Sequence, residues 1–176
     1  NLIIYYLERL IHMEIERKWL FKSIAAPKGT KILGEYFYKQ AYISINPEVR
    51  IRSRRKADED NFTYALCIKS KGTLERIEVQ KELTEKEFNE LMVVGNIKEE
   101  DFIEKHFYKY SVNNHELTLG VTDIGRSTEF FYGEIEFNSS EDAVLFTPPK
   151  CFGEEVTDDP QYKMSNFWEK TRIKSK

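Results

Sequence analysis

The sequence predicts a mainly β domain with short helices attached, folded as a sandwich or a barrel. Many short segments alternate polar and apolar residues, which is the period of a strand. Turn residues separate them at close spacing, as at Asn46-Pro47 and Lys71-Gly72, and this suits an all-β architecture. Helix-start signals are few and precede short runs.

Taken in order, residues 13–20 read as the first strand. Glu14, Glu16 and Lys18 leave one face of it, Ile15 and Trp19 the other. Pro27 and Gly29 make 25–30 a loop. Residues 36–44 alternate aromatic and polar side chains and form a second strand, which Asn46-Pro47 turns. From Val49 to Arg54 alternation is strict, with Arg50, Arg52 and Arg54 sharing a face. A charged turn at 57–61 leads to a strand over 62–70 that puts Cys67 and Lys69 on one side. Lys71-Gly72 turns the chain into Arg76–Gln80, where Arg76, Glu78 and Gln80 point the same way.

Thr84-Glu85-Lys86-Glu87 is a capping box, in which the Thr hydroxyl and the Glu three residues on satisfy two orphan amides. A helix over 85–94 follows, and Gly95 closes it. Residues 102–110, 116–123 and 129–137 are strands. Ser139 opens a short helix stopped by Pro148-Pro149. Asp159-Pro160 starts a last helix reaching Thr171.

With 176 residues, 40% apolar and 32% charged, the chain is long enough and apolar enough for one folded domain. That domain is 13–176, preceded by an N-terminal extension, 1–12. The extension is apolar-rich, too short to span a bilayer and without a signal-peptide pattern; it reads as an upstream addition before a natural start at Met13, with a short docking helix as the alternative. A net charge of -3 selects neither nucleic acid nor anionic membrane. Arg55-Lys56 has no aromatic platform for bases beside it. Cys67 and Cys151 lack the spacing of a zinc site or disulfide scaffold, so a cytoplasmic protein with reduced thiols is expected. His12, His106 and His115 show no metal-ligand spacing, and Trp19 and Trp168 read as outer packing.

The polar faces are unusually charged: Glu14/Glu16/Lys18, Arg50/Arg52/Arg54, Lys69, Arg76/Glu78/Gln80, Lys105 and Glu134/Glu136. If the sheet closes on itself, these line one lumen and the aliphatic faces point outward beneath the helices. Mixed buried charges need counter-ions. A polyphosphate with Mg²⁺ or Mn²⁺ satisfies both signs, since Arg forks grip phosphate and carboxylates hold hard cations.

These segments resemble, in order, the CYTH superfamily of triphosphate tunnel metalloenzymes. They are the ExExK signature Glu14–Lys18, then Gln40-Ala41-Tyr42, Val49–Arg52, Ile68-Lys69-Ser70, Arg76-Ile77-Glu78, Ile103-Glu104-Lys105, Glu134–Phe137 and Phe152–Thr157. The resemblance covers 13–165, nearest to small bacterial inorganic triphosphatases. It implies a closed eight-stranded antiparallel barrel, a triphosphate-containing small molecule and one or two Mg²⁺ or Mn²⁺ ions. By position, Glu14, Glu16 and Glu136 resemble ligands of the metal bridging the phosphates. Lys18, Arg50, Arg52, Lys69, Arg76 and Lys105 resemble phosphate grips, with Lys18 also catalytic. Glu134 and Glu78 belong near a second metal that activates water. Tyr162 and Lys163 match a C-terminal helix stopping one end of the tunnel, with Lys163 also facing substrate.

The chain departs from the family at three places. A Lys-x-Arg pair becomes Lys105-His106-Phe107. A Glu-x-Asp pair is missing near 117–122, where Asp123 is the nearest acid. Arg-x-Glu-x-Glu becomes Arg76–Gln80. A site with fewer negative charges binds its ion more weakly, so the expectation is slow hydrolysis, with Gln80→Glu raising a Mn²⁺-dependent rate. The alternatives are a non-catalytic polyphosphate or nucleotide binder and, last, an adenylate cyclase.

Overall fold

The computed structural model describes residues 12–25, 27–72 and 74–174. Eight antiparallel strands close into a barrel: β1 His12–Phe21, β2 Lys31–Ile45, β3 Glu48–Lys56, β4 Phe62–Lys69, β5 Glu75–Leu83, β6 Ile103–Val112, β7 His115–Thr122 and β8 Phe130–Glu136. Around the wall the order is β1-β5-β4-β3-β2-β6-β7-β8. Closure leaves no open sheet edge. β1 makes the seam, pairing β5 through residues 12–15 and β8 through 16–21.

Every strand expected from the sequence is present, with shifted ends. β2 is the largest difference. It begins at Lys31, because Ile32–Phe37 pair with β6 past a register shift between Ile32 and Gly34. The capping-box helix α1, Glu85–Val94, has both reciprocal bonds between Thr84 and Glu87. α2, Ser140–Leu145, is capped by Ser139. The single terminal helix expected from Asp159 is instead broken. A 3₁₀ turn covers Pro160–Tyr162, α3 covers Met164–Trp168, and a wide turn covers Glu169–Ile173. Lys163 is extended between the first two pieces. The extension at 1–12 falls, but for the backbone of His12, outside the described residues.

Apolar side chains face outward into two separate cores. Ile15, Trp19, Leu117, Leu119 and Ile135 pack with Phe146 and Phe152 behind α2. Ala41, Ile51 and Ile103 pack with Phe88, Met164 and Trp168 beneath α1 and α3. Both tryptophans are thus outer packing residues. The helices do not cover the whole wall, for Ile68, Ile77 and Val79 on β4 and β5 stay about 40% exposed. Gly120 allows the close approach of β7 to β6, since a Cβ there would lie 2.3 Å from that of Phe107.

Candidate active site in the barrel lumen

Alternation sends the polar face of each strand inward. One cavity of about 1150 Å³ is lined by Glu14, Glu16, Lys18, Arg50, Arg52, Lys69, Arg76, Glu78, Lys105, Glu134, Glu136 and Lys163. All the site residues expected from the sequence therefore share one chamber, Lys163 from beyond the barrel. The segment 156–164 lies across one end. There Lys18 Nζ donates to Tyr162 O at 3.2 Å, and Lys163 Nζ approaches Glu48 Oε2 at 3.6 Å. Lys163 is extended at the break before α3, where these contacts fall.

Strand order sorts the charges onto opposing walls. β3, β2 and β6 carry Arg50, Arg52, Arg54, Lys105 and Lys109. Across the lumen β8, β1 and β5 carry Glu134, Glu136, Glu14, Glu16 and Glu78. The acidic wall also holds cations that pair its acids. Glu14 lies 2.6 Å from Lys69 of neighbouring β4 and 2.9 Å from Arg76, Glu78 lies 2.9 Å from Lys69, and Glu134 lies 2.7 Å from Lys18. On the cationic wall, Arg50, Arg52, Arg54 and Lys105 have no carboxylate in ion-pair range among the described residues. Arg52 rests on the Tyr38 ring, 4.7 Å from its centroid, and donates to Gln80 Oε1 at 3.2 Å. Arg50 Nε is buried without an acceptor.

Titration follows from this layout. Burial opposes ionisation of Glu134, yet Lys18 and Lys105 hold it down at about 2. Burial also opposes ionisation of Glu78, and Lys69 holds it at about 2. Glu16 goes the other way, pushed up to about 7 by burial and then by Glu134, with Lys18 only partly compensating. Its cross-strand partner is Glu136, and carboxylates directly opposite repel. Glu16 thus sits among acids short of positive charge, which suits a hard divalent cation. Glu14 is already committed to Lys69 and Arg76. Among the described residues no three acid, histidine or cysteine side chains converge as a ready-made ligand set. Glu136 stands opposite Glu16 across the β1–β8 seam, and Glu134 opposite Lys18.

Asp123, the acid nearest the missing Glu-x-Asp pair, does not line the lumen; it is fully buried, accepts from Thr128 and pairs with Arg172. The inward positions of β7 are Glu116 and Thr118, and Thr118 stands opposite Glu134. Positive φ at Asp123 turns the chain out of β7 there, which strand periodicity alone does not reveal. Phe107 does occupy the wall, edge-on to Tyr38 at 4.4 Å. The sequence reading missed Glu48, Tyr38, Gln40, Tyr42 and Tyr132 as lining residues. Their parity with Arg50 on β3 and Glu134 on β8, and the polar alternation of β2, were the available signals. Cys67 is buried in the wall, where desolvation raises its thiol to about 11, against a nucleophilic role.

No family model matches the chain. It is 30% identical to an inorganic triphosphatase of Nitrosomonas europaea, over 85% of this chain and 93% of that protein. It is 32% identical to an inorganic triphosphatase of Acetivibrio thermocellus, over 88% and 92%. The crystal structure of the inorganic triphosphatase NE1496 matches with TM-score 0.55 and 27% identity, over 88% of this chain and 93% of that one. The PH1012 protein of Pyrococcus horikoshii, at 17% identity and TM-score 0.54 over 75% and 84%, shares the fold.

Proposed function

The chain belongs to the CYTH superfamily of triphosphate tunnel enzymes, and we propose that it hydrolyses inorganic triphosphate in its lumen with Mg²⁺ or Mn²⁺. The observation that carries this reading is the unpaired cationic wall. Arg50, Arg52 and Lys105 have no carboxylate partners among the described residues and face a wall of five acids. Buried cations without counter-ions are costly, and a chain of phosphates supplies the missing charge.

Arg50 and Arg52 grip phosphate oxygens through their forks, and Tyr38 with Gln80 holds Arg52 in place. Lys105 adds a third contact from β6. Lys18, Lys69 and Arg76 reach the phosphates from the acidic side by partly releasing Glu134, Glu14 and Glu78. Glu16, Glu134 and Glu136 would hold one cation, and Glu14 joins them once Lys69 and Arg76 turn to substrate. That cation, when bound, polarises phosphate oxygens as a Lewis acid. Glu78 and Glu134, ionised down to about 2, serve as charge partners rather than proton acceptors. The positive residues then stabilise the charge developing on the departing diphosphate.

The test is phosphate release from inorganic triphosphate, ATP and thiamine triphosphate, each with Mg²⁺ or Mn²⁺. Free phosphate, fastest from inorganic triphosphate, is expected. Tight binding without product would make the chain a binder, and cyclic AMP from ATP would make it a cyclase.

A further inference from the structure

One aromatic ring serves both walls. Tyr132 enters the lumen from β8, two residues before Glu134, and is 6% exposed. Two ammonium groups from opposite sides of the barrel lie over it. Lys18 Nζ of β1 is 5.1 Å from the ring centroid, and Lys105 Nζ of β6 is 5.2 Å from it. Gly120 of β7 stands opposite Tyr132 and presents no side chain between the ring and β6. The two lysines differ in their other partners. Lys18 also pairs with Glu134 at 2.7 Å and donates to Tyr162 O at 3.2 Å. The buried Lys105 ammonium meets no carboxylate and donates no hydrogen bond among the described residues, so the ring is what attracts it.

Both distances fall within the range of a cation–π contact, which desolvation strengthens. A ring face attracts an ammonium without taking up its hydrogen bonds, so the three N–H groups of Lys105 stay available. A carboxylate in the same place would form a full ion pair that an arriving phosphate must break. The arrangement recurs along the cationic wall, where Arg52 lies over Tyr38 at 4.7 Å and Arg54 over Tyr36 at 5.4 Å. We propose that Tyr132 is a positioning residue for triphosphate, its ring holding the Lys18 and Lys105 ammoniums, one from each wall, so that both reach the same phosphate chain. This rests on the triphosphatase reading above. The phosphates approach from the lumen while the ring stays behind both lysines, and the contacts persist in the complex. Tyr132 acts through the lysines. It also packs beside Phe130 at 5.5 Å, and a ring that served only to fill the wall would be replaceable by any apolar side chain of its size.

The experiment measures binding of inorganic triphosphate to the full chain by calorimetry, with Tyr132→Phe as the reference. Phenylalanines carrying one, two and three ring fluorines are then placed at the same position; fluorine drains the ring face with little change in size. Tyr132→Phe is expected to bind within about threefold of the wild type, since the ring face is kept. Each fluorine weakens binding in turn, to about tenfold at three fluorines, and Tyr132→Leu loses about as much. In a Lys105→Met background the fluorine dependence shrinks, because the ring has lost one of its two cations. A side chain that only fills the wall would show neither the series nor its coupling to Lys105. A flat series, one that Lys105→Met leaves unchanged, or binding that tightens as fluorine is added would overturn the proposal. Wild-type protein that fails to bind triphosphate would overturn the triphosphatase reading as well, whereas wild-type binding with a flat series would overturn only the role of Tyr132.

Discussion

Burial, with Lys18, Arg50 and Arg52 behind it, brings the Lys105 ammonium down to about 7 against the pull of Glu134. Unfolded, a lysine titrates near 10.4. Between these values the unfolded chain binds more protons, so this contribution to stability rises with pH and is lost as pH falls through 7. A bound phosphate reverses the balance. Triphosphate binding at pH 8 should take up protons, seen as a dependence of titration enthalpy on buffer ionisation heat. Lys105→Met should raise the thermal midpoint at pH 6 and weaken binding by about tenfold, or about 1.4 kcal/mol; buffer-independent enthalpies would count against the assignment. Glu16 has the opposite sign. Its folded value near 7 lies above 4.5, so its contribution is present at low pH and lost as pH rises through 7. Mn²⁺ should therefore raise the thermal midpoint more at pH 8 than at pH 5.5, and Glu16→Gln should remove that difference. Gln80 acts on both charges. A carboxylate in its place adds negative charge for a cation but captures Arg52, its present donor. Gln80→Glu should raise both the Mn²⁺-dependent kcat and the KM for triphosphate, and a fall in KM would contradict the contact.

The capping segment is the element that sequence periodicity described least well. Asp159-Pro160 marked its start correctly, yet the helix breaks at Lys163 because Tyr162 and Lys163 are engaged with Lys18 and Glu48. Those partners lie more than a hundred residues away, so no local signal could place the break. Its far end is fixed by a buried pair, Arg172 with Asp123, 4% and 1% exposed. Arg172 also donates to Phe102 O. Arg172→Met would strand a buried carboxylate and should cost about 3–5 kcal/mol in denaturant unfolding. A cost below about 1 kcal/mol, typical of surface pairs, would mean the pair is solvated. The strands were legible for the reverse reason: Glu14/Glu16/Lys18 and Arg50/Arg52/Arg54 declare their shared faces by period alone. The expected start of β2 falls short of the observed one because it is set by pairing with β6 past a shift in register, and the strand expected over 116–123 ends at Thr122 because Asp123 turns the chain with positive φ.

At the scale of the whole barrel, the sequence supplied which residues point inward but not which walls oppose. That depends on strand order, and β1 meets both β5 and β8 only after closure. The order places Arg50, Arg52 and Lys105 across from Glu14, Glu16, Glu134 and Glu136, and the charges become one site only in that arrangement. It also isolates Glu48 as an acid on the wrong wall, a distinction invisible in the linear sequence. The most direct measurement is a crystal structure of the protein with inorganic triphosphate and Mn²⁺. Phosphates are expected inside the barrel, in contact with Arg50, Arg52 and Lys105, with the cation beside Glu16. Triphosphate bound on the outer surface, or bound in solution with Arg50 and Arg52 replaced by alanine as tightly as without, would contradict it.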